Sequence, residues 1–355
     1  MFYRESGIFK TSYAADTALM PLPNTRVAAA MLGVVLLAVL PILFGEYGIS
    51  VCNLILIAIV GAVGLNILVG YTDQVSIGHG AFMSVGAYTA ANLIVRMDAP
   101  FWIAIPAGGA MAALIGTFVG LPSLRIKGLY LAISTLAAQL IIEWTINHVP
   151  AISGGVQSTI QVPPPSVFGY TLTRQWQIYF FLLSFVLIGM VGAANLIRSR
   201  IGRAFIAIRD QDIAAEIIGI NIARYKLYAF AISSFYAGVT GVLYTYYLGI
   251  ANYEQFQLTV SIDFLAMIII GGLGSTLGPV FGAIFVTLLP ILTRRVLETF
   301  GGYFMEYSDL AAIIPSLRLT IFGGLIIFFL VVEPEGLNRL WRKVRNYFRT
   351  WPFSY

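Results

Sequence analysis

Runs of apolar residues long enough to cross a bilayer as α-helices recur along this 355-residue chain, and nothing else in it constrains the fold as strongly. Hydrocarbon offers no water to peptide groups, so each run must close its own backbone hydrogen bonds as a helix. Ten segments can be marked: Val27–Gly45, Val51–Gly70, Gly80–Val95, Phe101–Gly120, Gly128–Ile146, Trp176–Ile197, Leu227–Leu248, Val260–Gly272, Leu277–Thr293 and Ile313–Val332. The expected fold class is an all-α polytopic membrane protein with about ten transmembrane segments, broken helices among them. Composition agrees: 59% of residues are hydrophobic and 10% charged, against about 25% charged in an average soluble domain. The eighth and ninth segments are short and separated by Leu-Gly-Ser-Thr, so 260–293 reads either as two short segments or as one broken helix.

Basic residues orient the chain, because Lys and Arg concentrate in cytoplasmic loops. With ten segments and the N-terminus inside, 16 of the 21 basic residues fall inside. With nine, the basic C-terminal tail falls outside. Both termini are therefore expected in the cytoplasm. The domain reading is a tail over 1–26, a permease-like body over 27–333 with an internal loop at 198–223, and a basic tail over 334–355. The net charge of +5 fits basic cytoplasmic loops and implies no nucleic-acid partner. Outside, Pro150–Thr173 is rich in Gly, Ser and Pro, and Arg294–Asp309 mixes charges with aromatics. Each reads as a docking surface or as a solvated connection.

Ile197–Asn221 concentrates charge in the middle of the apolar chain: Arg198, Arg200, Arg203, Arg209, Asp210, Asp212 and Glu216. Apolar residues return inside it at helical spacing. On one wheel Ile206, Ile213, Ile217 and Ile220 form a stripe, with Arg209, Asp212 and Glu216 beside it. This predicts one or two short amphipathic helices on the cytoplasmic surface.

Two other stretches break the apolar pattern. Gly70-Tyr-Thr-Asp-Gln-Val-Ser-Ile-Gly-His-Gly puts Tyr71, Thr72, Asp73, Gln74, Ser76 and His79 among glycines at or near membrane depth. Gly271-Gly-Leu-Gly-Ser-Thr-Leu-Gly-Pro is the second. Polar groups at such depth line a cavity or face a neighbouring helix, and broken helices are a recurring transporter device. The candidate pathway residues are Tyr71, Gln74, Ser76, Gly78 and His79 with Gly271, Gly272, Gly274 and Ser275. The second stretch lacks the Lys-Ser/Thr ending of a phosphate-binding loop. One cysteine, Cys52, and two distant histidines, His79 and His148, make no metal site, and no nucleophile–base grouping marks a catalytic centre. The expectation is a transport subunit, not an enzyme, with no cofactor of its own.

The blocks GYTDQVSIGHGAFMSVGAYTAANL, LRIKGLYLAISTLA, IRDQDIAAEIIGINIARYKLYAFAISSFYAGVTGVLY and GGLGSTLGPVFGA resemble, in order and spacing, the M-type membrane subunits of branched-chain amino-acid ABC importers over about 61–332. Two departures stand out: Asp73 replaces the small residue expected in the GYxGQxSxGHxxF block, and SGGVQST replaces the usual Thr-Gly-Gly-Ser-Asp-Gly. The resemblance implies a pore of two permease subunits, commonly non-identical, two cytoplasmic ATPases that bind ATP and Mg, and a periplasmic solute-binding protein. It implies that 198–223 holds the coupling helix, with Arg209, Asp210, Asp212, Ala215, Glu216 and Gly219 as the docking residues. Branched-chain amino acids are the implied solute, with urea, short amides and aromatic or other small carboxylic acids as same-class alternatives. An ion-coupled secondary carrier is the reading from another class.

Overall fold

The computed structural model describes residues 45–124, 126, 128–154, 159–167, 170–301, 320–321, 323–329, 331 and 336–350. Its helices are α1 (Glu46–Thr72), α2 (His79–Met97), α3 (Phe101–Gly120), α4 (Leu129–His148), the single turn α5 (Pro150–Ser153), α6 (Gln175–Arg198), α7 (Arg200–Asp210), α8 (Asp212–Ile217), α9 (Ile222–Leu248), α10 (Leu258–Gly271), α11 (Gly278–Gly301) and α12 (Leu337–Thr350).

The all-α architecture holds, with two very short strand pairings in its connections. The Gly- and Pro-rich stretch after α5 and the turn after α9 form two-stranded ribbons. Strand β1 (Thr159–Gln161) pairs antiparallel with β4 (Ile250–Asn252), and β2 (Ser166–Val167) pairs with β3 (Tyr170–Thr171). Ribbons this short leave free edges, which are tolerable where water takes the unpaired groups and not against lipid.

Among the described residues, seven helical stretches are long and apolar enough to cross a membrane: α1, α3, α4, α6, α9, Tyr253–Gly271 and Gly278–Arg295. The chain is a multi-pass membrane protein. Helix α2, expected as a span, is not among the seven. It carries His79, Ser84, Asn92 and Arg96, and most of its residues are buried against α3 and α9. A helix walled in by other helices needs less apolar surface than one facing lipid. The 260–293 stretch resolves into two helices, α10 and α11, parted by residues 272–277. The first expected span lies outside the described residues except for Gly45, and in the tenth residues 323–329 are helical.

Burial separates centre from rim. Inside the protein lies 78% of the α1 span and 61% of α9, but only 28% of α4 and 22% of α6. Helices α1 and α9 are thus the axis, and α4 and α6 present Ile141, Trp144, Leu187 and Ile188 outward as lipid-facing surface. Small residues let the inner helices meet backbone to backbone, the usual way membrane helices gain packing contact. At the α2–α9 crossing a Cβ on Gly86 would collide with the Gly238 carbonyl, and one on Gly238 would lie 2.8 Å from the Gly108 carbonyl of α3. Replacing Gly86 by Leu is therefore expected to cost at least the ~1–3 kcal/mol typical of overpacking, read as loss of the monodisperse peak in detergent size-exclusion. Gly189→Ala meets only the Tyr236 ring edge at 3.4 Å and is expected to behave as the parent does.

Candidate functional site at two helix breaks

Helix α1 ends where its sequence turns polar. Its last carbonyls have no intrahelical donor, as at every helix C-terminus. The Asp73 amide turns back to Leu68 O in a left-handed conformation, φ 53°, and the Gln74 amide reaches the same carbonyl at 3.3 Å. Glycine suits this capping position, and an L-residue there costs ~1–2 kcal/mol. The departure at Asp73 thus sits where a small residue is easiest. The Gly70 carbonyl is taken by Arg209, whose Nη1 donates to it at 2.9 Å. A guanidinium is well suited there, because cations stabilise helix C-termini.

The second break meets the same point. Gly274, φ +68°, donates its amide to Asn66 Oδ1 at 3.0 Å, and Asn66 Nδ2 donates to the Ser275 carbonyl at 2.9 Å. One α1 side chain thus closes both backbone groups of the 272–277 turn. Ser275 Oγ then accepts from the Gly278 amide at 2.9 Å and donates to the Gly272 carbonyl at 2.8 Å, capping α11. A Cβ on Gly274 would strike the Arg209 guanidinium and lie 2.7 Å from Gly70 O, so only glycine fits. Gly271 packs on the Gly278 backbone, and Gly272 has φ +115°.

From this node residues 73–78 run back into the bundle, with Gln74, Ser76 and Gly78 buried. The Ile77 amide donates to Thr135 Oγ1 at 3.0 Å, and the Gly78 amide lies 3.4 Å from Ser76 Oγ. The segment ends at a second polar node. The Gly80 amide donates to Ser261 Oγ at 2.7 Å, and the Ala81 amide to Gln139 Oε1 at 2.7 Å. Ser261 Oγ also donates to Gln139 Oε1 at 3.1 Å, and Gln139 Nε2 donates to Phe256 O at 2.9 Å. Side chains of α4 and α10 thereby cap α2 across the helix interface. Ser261 stands ten residues before Gly271 on α10, so the nodes are separated by ~15 Å along that helix. Seven extended residues reach ~23–25 Å, ample for the link. His79 is buried against the Phe264 ring, and its Nε2 has no partner among the described residues; nor does Gln74 Oε1. Tyr71 is buried in the apolar cluster at the end of α1.

The charged loop is two helices. Gln211 is extended, φ −160° and ψ 101°, so α7 and α8 do not share a helical wheel, and the single isoleucine stripe does not exist. Ile206 is half-buried on the α7 side, whereas Ile213 and Ile217 are exposed on α8. Helix α7 is fixed inward by Phe205 and Ile208, both buried; Phe205 packs among Ile67, Leu68, Tyr71 and Phe230. Ser199 Oγ caps α7 by accepting from the Ile201 and Gly202 amides, and Asn221 Oδ1 caps α9 by accepting from the Arg224 amide. Of the residues expected to dock a partner, Asp210 and Glu216 are exposed, Asp212 half-buried, Ala215 buried, and Gly219 turns the chain at φ +91°. Arg209 is exposed as well, and it also reaches inward. Its guanidinium points back to Gly70, with Nε 3.4 Å from Asp210 Oδ1, and it lines a polar cleft of about 280 Å³ with Thr72, Gln74, Asp212 and Lys226.

Sequence reasoning missed Asn66, Thr135, Gln139 and Ser261. For Asn66 and Gln139 the signal was a lone hydrogen-bonding side chain inside an apolar run, the pattern that marks interior-facing positions of membrane helices; Thr135 and Ser261 stand among other polar residues and gave no such signal.

The family model described as branched-chain amino acid transport system / permease component matches residues 47–330. Among curated proteins, the high-affinity branched-chain amino acid transport system permease protein LivM of Escherichia coli is 30% identical over 332 residues, covering 86% of this chain and 74% of its own. LivH of Salmonella typhimurium is 24% identical, covering 78% and 89%. The probable LivM of Methanocaldococcus jannaschii is 25% identical, covering 83% and 86%. No solved structure matches the chain. With most of its length matched by that model, the chain belongs to the family of branched-chain amino acid transport permease components.

Proposed function

We propose that this chain is the pore-forming permease subunit of an ABC importer for branched-chain or related small amino acids, and that Arg209 carries the motor's stroke into the pathway. The machine contains a second, related permease, as LivM and LivH are both named for permease proteins. Two cytoplasmic ATPases bind ATP and Mg, and a periplasmic binding protein delivers the solute. The chain sits in the bacterial inner membrane with ten spans, both termini and the α7–α8 hairpin in the cytoplasm.

The observation that carries this reading is the contact of Arg209 with Gly70. The α7–α8 hairpin offers Asp210 at the end of α7, and Glu216 with the exposed Ile213 and Ile217 on α8, to an ATPase cleft, where charge sets register and apolar packing transmits force. Phe205 holds the hairpin to the bundle as a rigid lever. At its fulcrum Arg209 joins the end of α1 to the Gly274 turn, so tilting the hairpin moves both breaks together. From there the 73–78 segment leads from Gln74, beside Thr72 and the Arg209 cleft, to the α2 cap, where His79 packs on Phe264.

Two measurements in vesicles containing the full complex separate these parts. Glu216→Arg is expected to weaken co-purification of the ATPase, with the permease still inserted. Arg209→Ala removes a charge-assisted hydrogen bond and is expected to lower uptake roughly tenfold while the ATPase stays bound and hydrolyses ATP. Normal uptake by Arg209→Ala would refute the lever. Uptake by the chain without ATPase, on a proton or sodium gradient, would refute the importer reading itself.

Asn66→Ala leaves the Gly274 amide and the Ser275 carbonyl without their partner, a loss of ~1–3 kcal/mol per buried group. The expected outcome is a lower melting temperature together with futile ATP hydrolysis, measured as ATP consumed per solute imported. An unchanged ratio would make the clamp structural only.

A further inference from the structure

The importer reading uses Arg209 as a link and gives the cleft beside it no task. The walls of that cleft come from three elements far apart in sequence: the end of α1, the start of α4 and the α7–α8 corner. Each wall brings a different chemistry. The end of α1 brings an acceptor that lacks a donor. Thr72 Oγ1 donates its proton to Leu68 O at 2.6 Å, so toward Gln74 it can only accept, and it accepts from Gln74 Nε2 at 2.8 Å. That bond fixes which end of the amide faces Thr72. Gln74 Oε1 is left buried, with no partner among the described residues, although nearly every buried acceptor has one. Asp73 stands next to it, exposed, on a left-handed backbone that strains an L-residue and that glycine adopts freely. The α7–α8 corner brings the opposite charge. Arg209 turns Nη1 to Gly70 O and Nε to Asp210, and a guanidinium has five N–H donors, so others remain for a carboxylate. Ile126, Leu131 and Ile208 form an apolar wall. Lys226 and Asp212 also line the cleft; both are engaged within the protein and enter here only as part of its mixed charge.

We infer that this cleft takes up a zwitterionic aliphatic amino acid from the cytoplasm, and that the bound solute slows import. The inference rests on the importer reading for the side of the membrane and for the solute. Size and charge select the ligand class. The cleft, about 280 Å³, lies at the lower end of small-molecule sites, roughly 300–1,000 Å³, which suits an amino acid rather than a nucleotide. A plain anion would meet the carboxylates of Asp73 and Asp210, and a plain cation would meet Arg209. A ligand with one charge of each sign suits both walls. Its carboxylate pairs with Arg209, and its ammonium goes to Asp73 with Gln74 Oε1 as a further acceptor. Its aliphatic side chain lies on Ile126, Leu131 and Ile208. Such a ligand touches α1, α4 and α7 at once, so it binds best where the three walls stand together and stabilises that arrangement against any other. The hairpin whose tilt drives the stroke is thereby held, and accumulated solute turns import down.

The first test uses the purified full chain in detergent, without ATPase or binding protein, and equilibrium binding of radiolabelled leucine. Binding is expected to saturate at millimolar leucine. Leucinamide, which lacks the carboxylate, and isocaproate, which lacks the ammonium, should compete roughly tenfold less well than leucine. Asp73→Gly relieves the backbone and removes the carboxylate, so its melting temperature should not fall while leucine binding weakens at least roughly tenfold. A leucine analogue with a diazirine in its side chain should label the chain around Ile126, Leu131 or Ile208. No binding at millimolar leucine, equal competition by either analogue, parent-like binding by Asp73→Gly, or label confined to residues 76–84 would each overturn the site. The second test reads regulation in right-side-out vesicles of the complete importer with ATP inside, as the ratio of initial leucine uptake with and without leucine trapped within. The ratio should fall below one for the parent and return toward one for Asp73→Gly; a parent ratio of one would overturn the feedback. Leucine import without leucine binding by the chain refutes the cleft and leaves the transport reading intact. An importer that brings no leucine into empty vesicles refutes the solute of that reading, while the binding test still decides the cleft on the chain alone.

Discussion

The structure turns on one hydrogen bond from a charged side chain to an orphan carbonyl. Helix α1 has the most enclosed span of the bundle, and its C-terminus leaves Gly70 O without an intrahelical donor. Arg209 supplies the donor from the surface hairpin, in a half-buried bond beside a polar cleft. A hydrogen bond to a charged group contributes more than a neutral one, about 1.5–3 kcal/mol. The same point is crowded by the Gly274 turn, whose left-handed backbone and missing Cβ admit the guanidinium. Three elements far apart in sequence, near residues 70, 209 and 274, are thus held at one place.

Around that point the bundle divides its labour by burial and polarity. Glycine-mediated contacts at Gly86 and Gly238 lock α2, α3 and α9 into a body with no room for adjustment. The breaks are the opposite. Their backbone groups are closed by single side chains: Asn66 for the second, and Thr135, Gln139 and Ser261 for the end of the first. Rearranging a region held by a few hydrogen bonds would break few contacts, whereas interdigitated glycine crossings leave no room to shift.

Much of this was legible in the sequence, and the parts that were not share a cause. Apolar run length located the described helices, with ends displaced by up to eight residues as at Gly278–Gly301, because a period and a length are local properties. The polar–glycine clusters at 70–80 and 271–278 marked the breaks for the same reason. The isoleucine stripe failed because the wheel assumed one helix through Gln211, whose extended backbone no residue nearby announces. Arg209 is exposed, as a charge in a loop ordinarily is, but its bond to a carbonyl 139 residues away is non-local and left no trace in the sequence. Asn66 and Gln139 were invisible as partners since each acts on a segment more than 50 residues distant in sequence. Ribbon pairing of β1 with β4 was likewise non-local.

The arrangement also explains why the charges of the hairpin divide as they do. A residue that docks a motor must be exposed when the motor is absent, and Asp210 and Glu216 meet that condition. A residue that passes motion inward must touch the moving part, and Arg209 does. Asp210 stands between the two roles, since its Oδ1 lies 3.4 Å from Arg209 Nε. That ion pair is exposed and contributes little to stability. Its consequence is geometric: a partner that drew Asp210 away would leave Arg209 with Gly70 as its anchor, and one that pressed Asp210 inward would compete for the guanidinium. In the proposed importer, occupancy of the outer surface would thereby change the bond at the inner one, with a single side chain as the hinge between them.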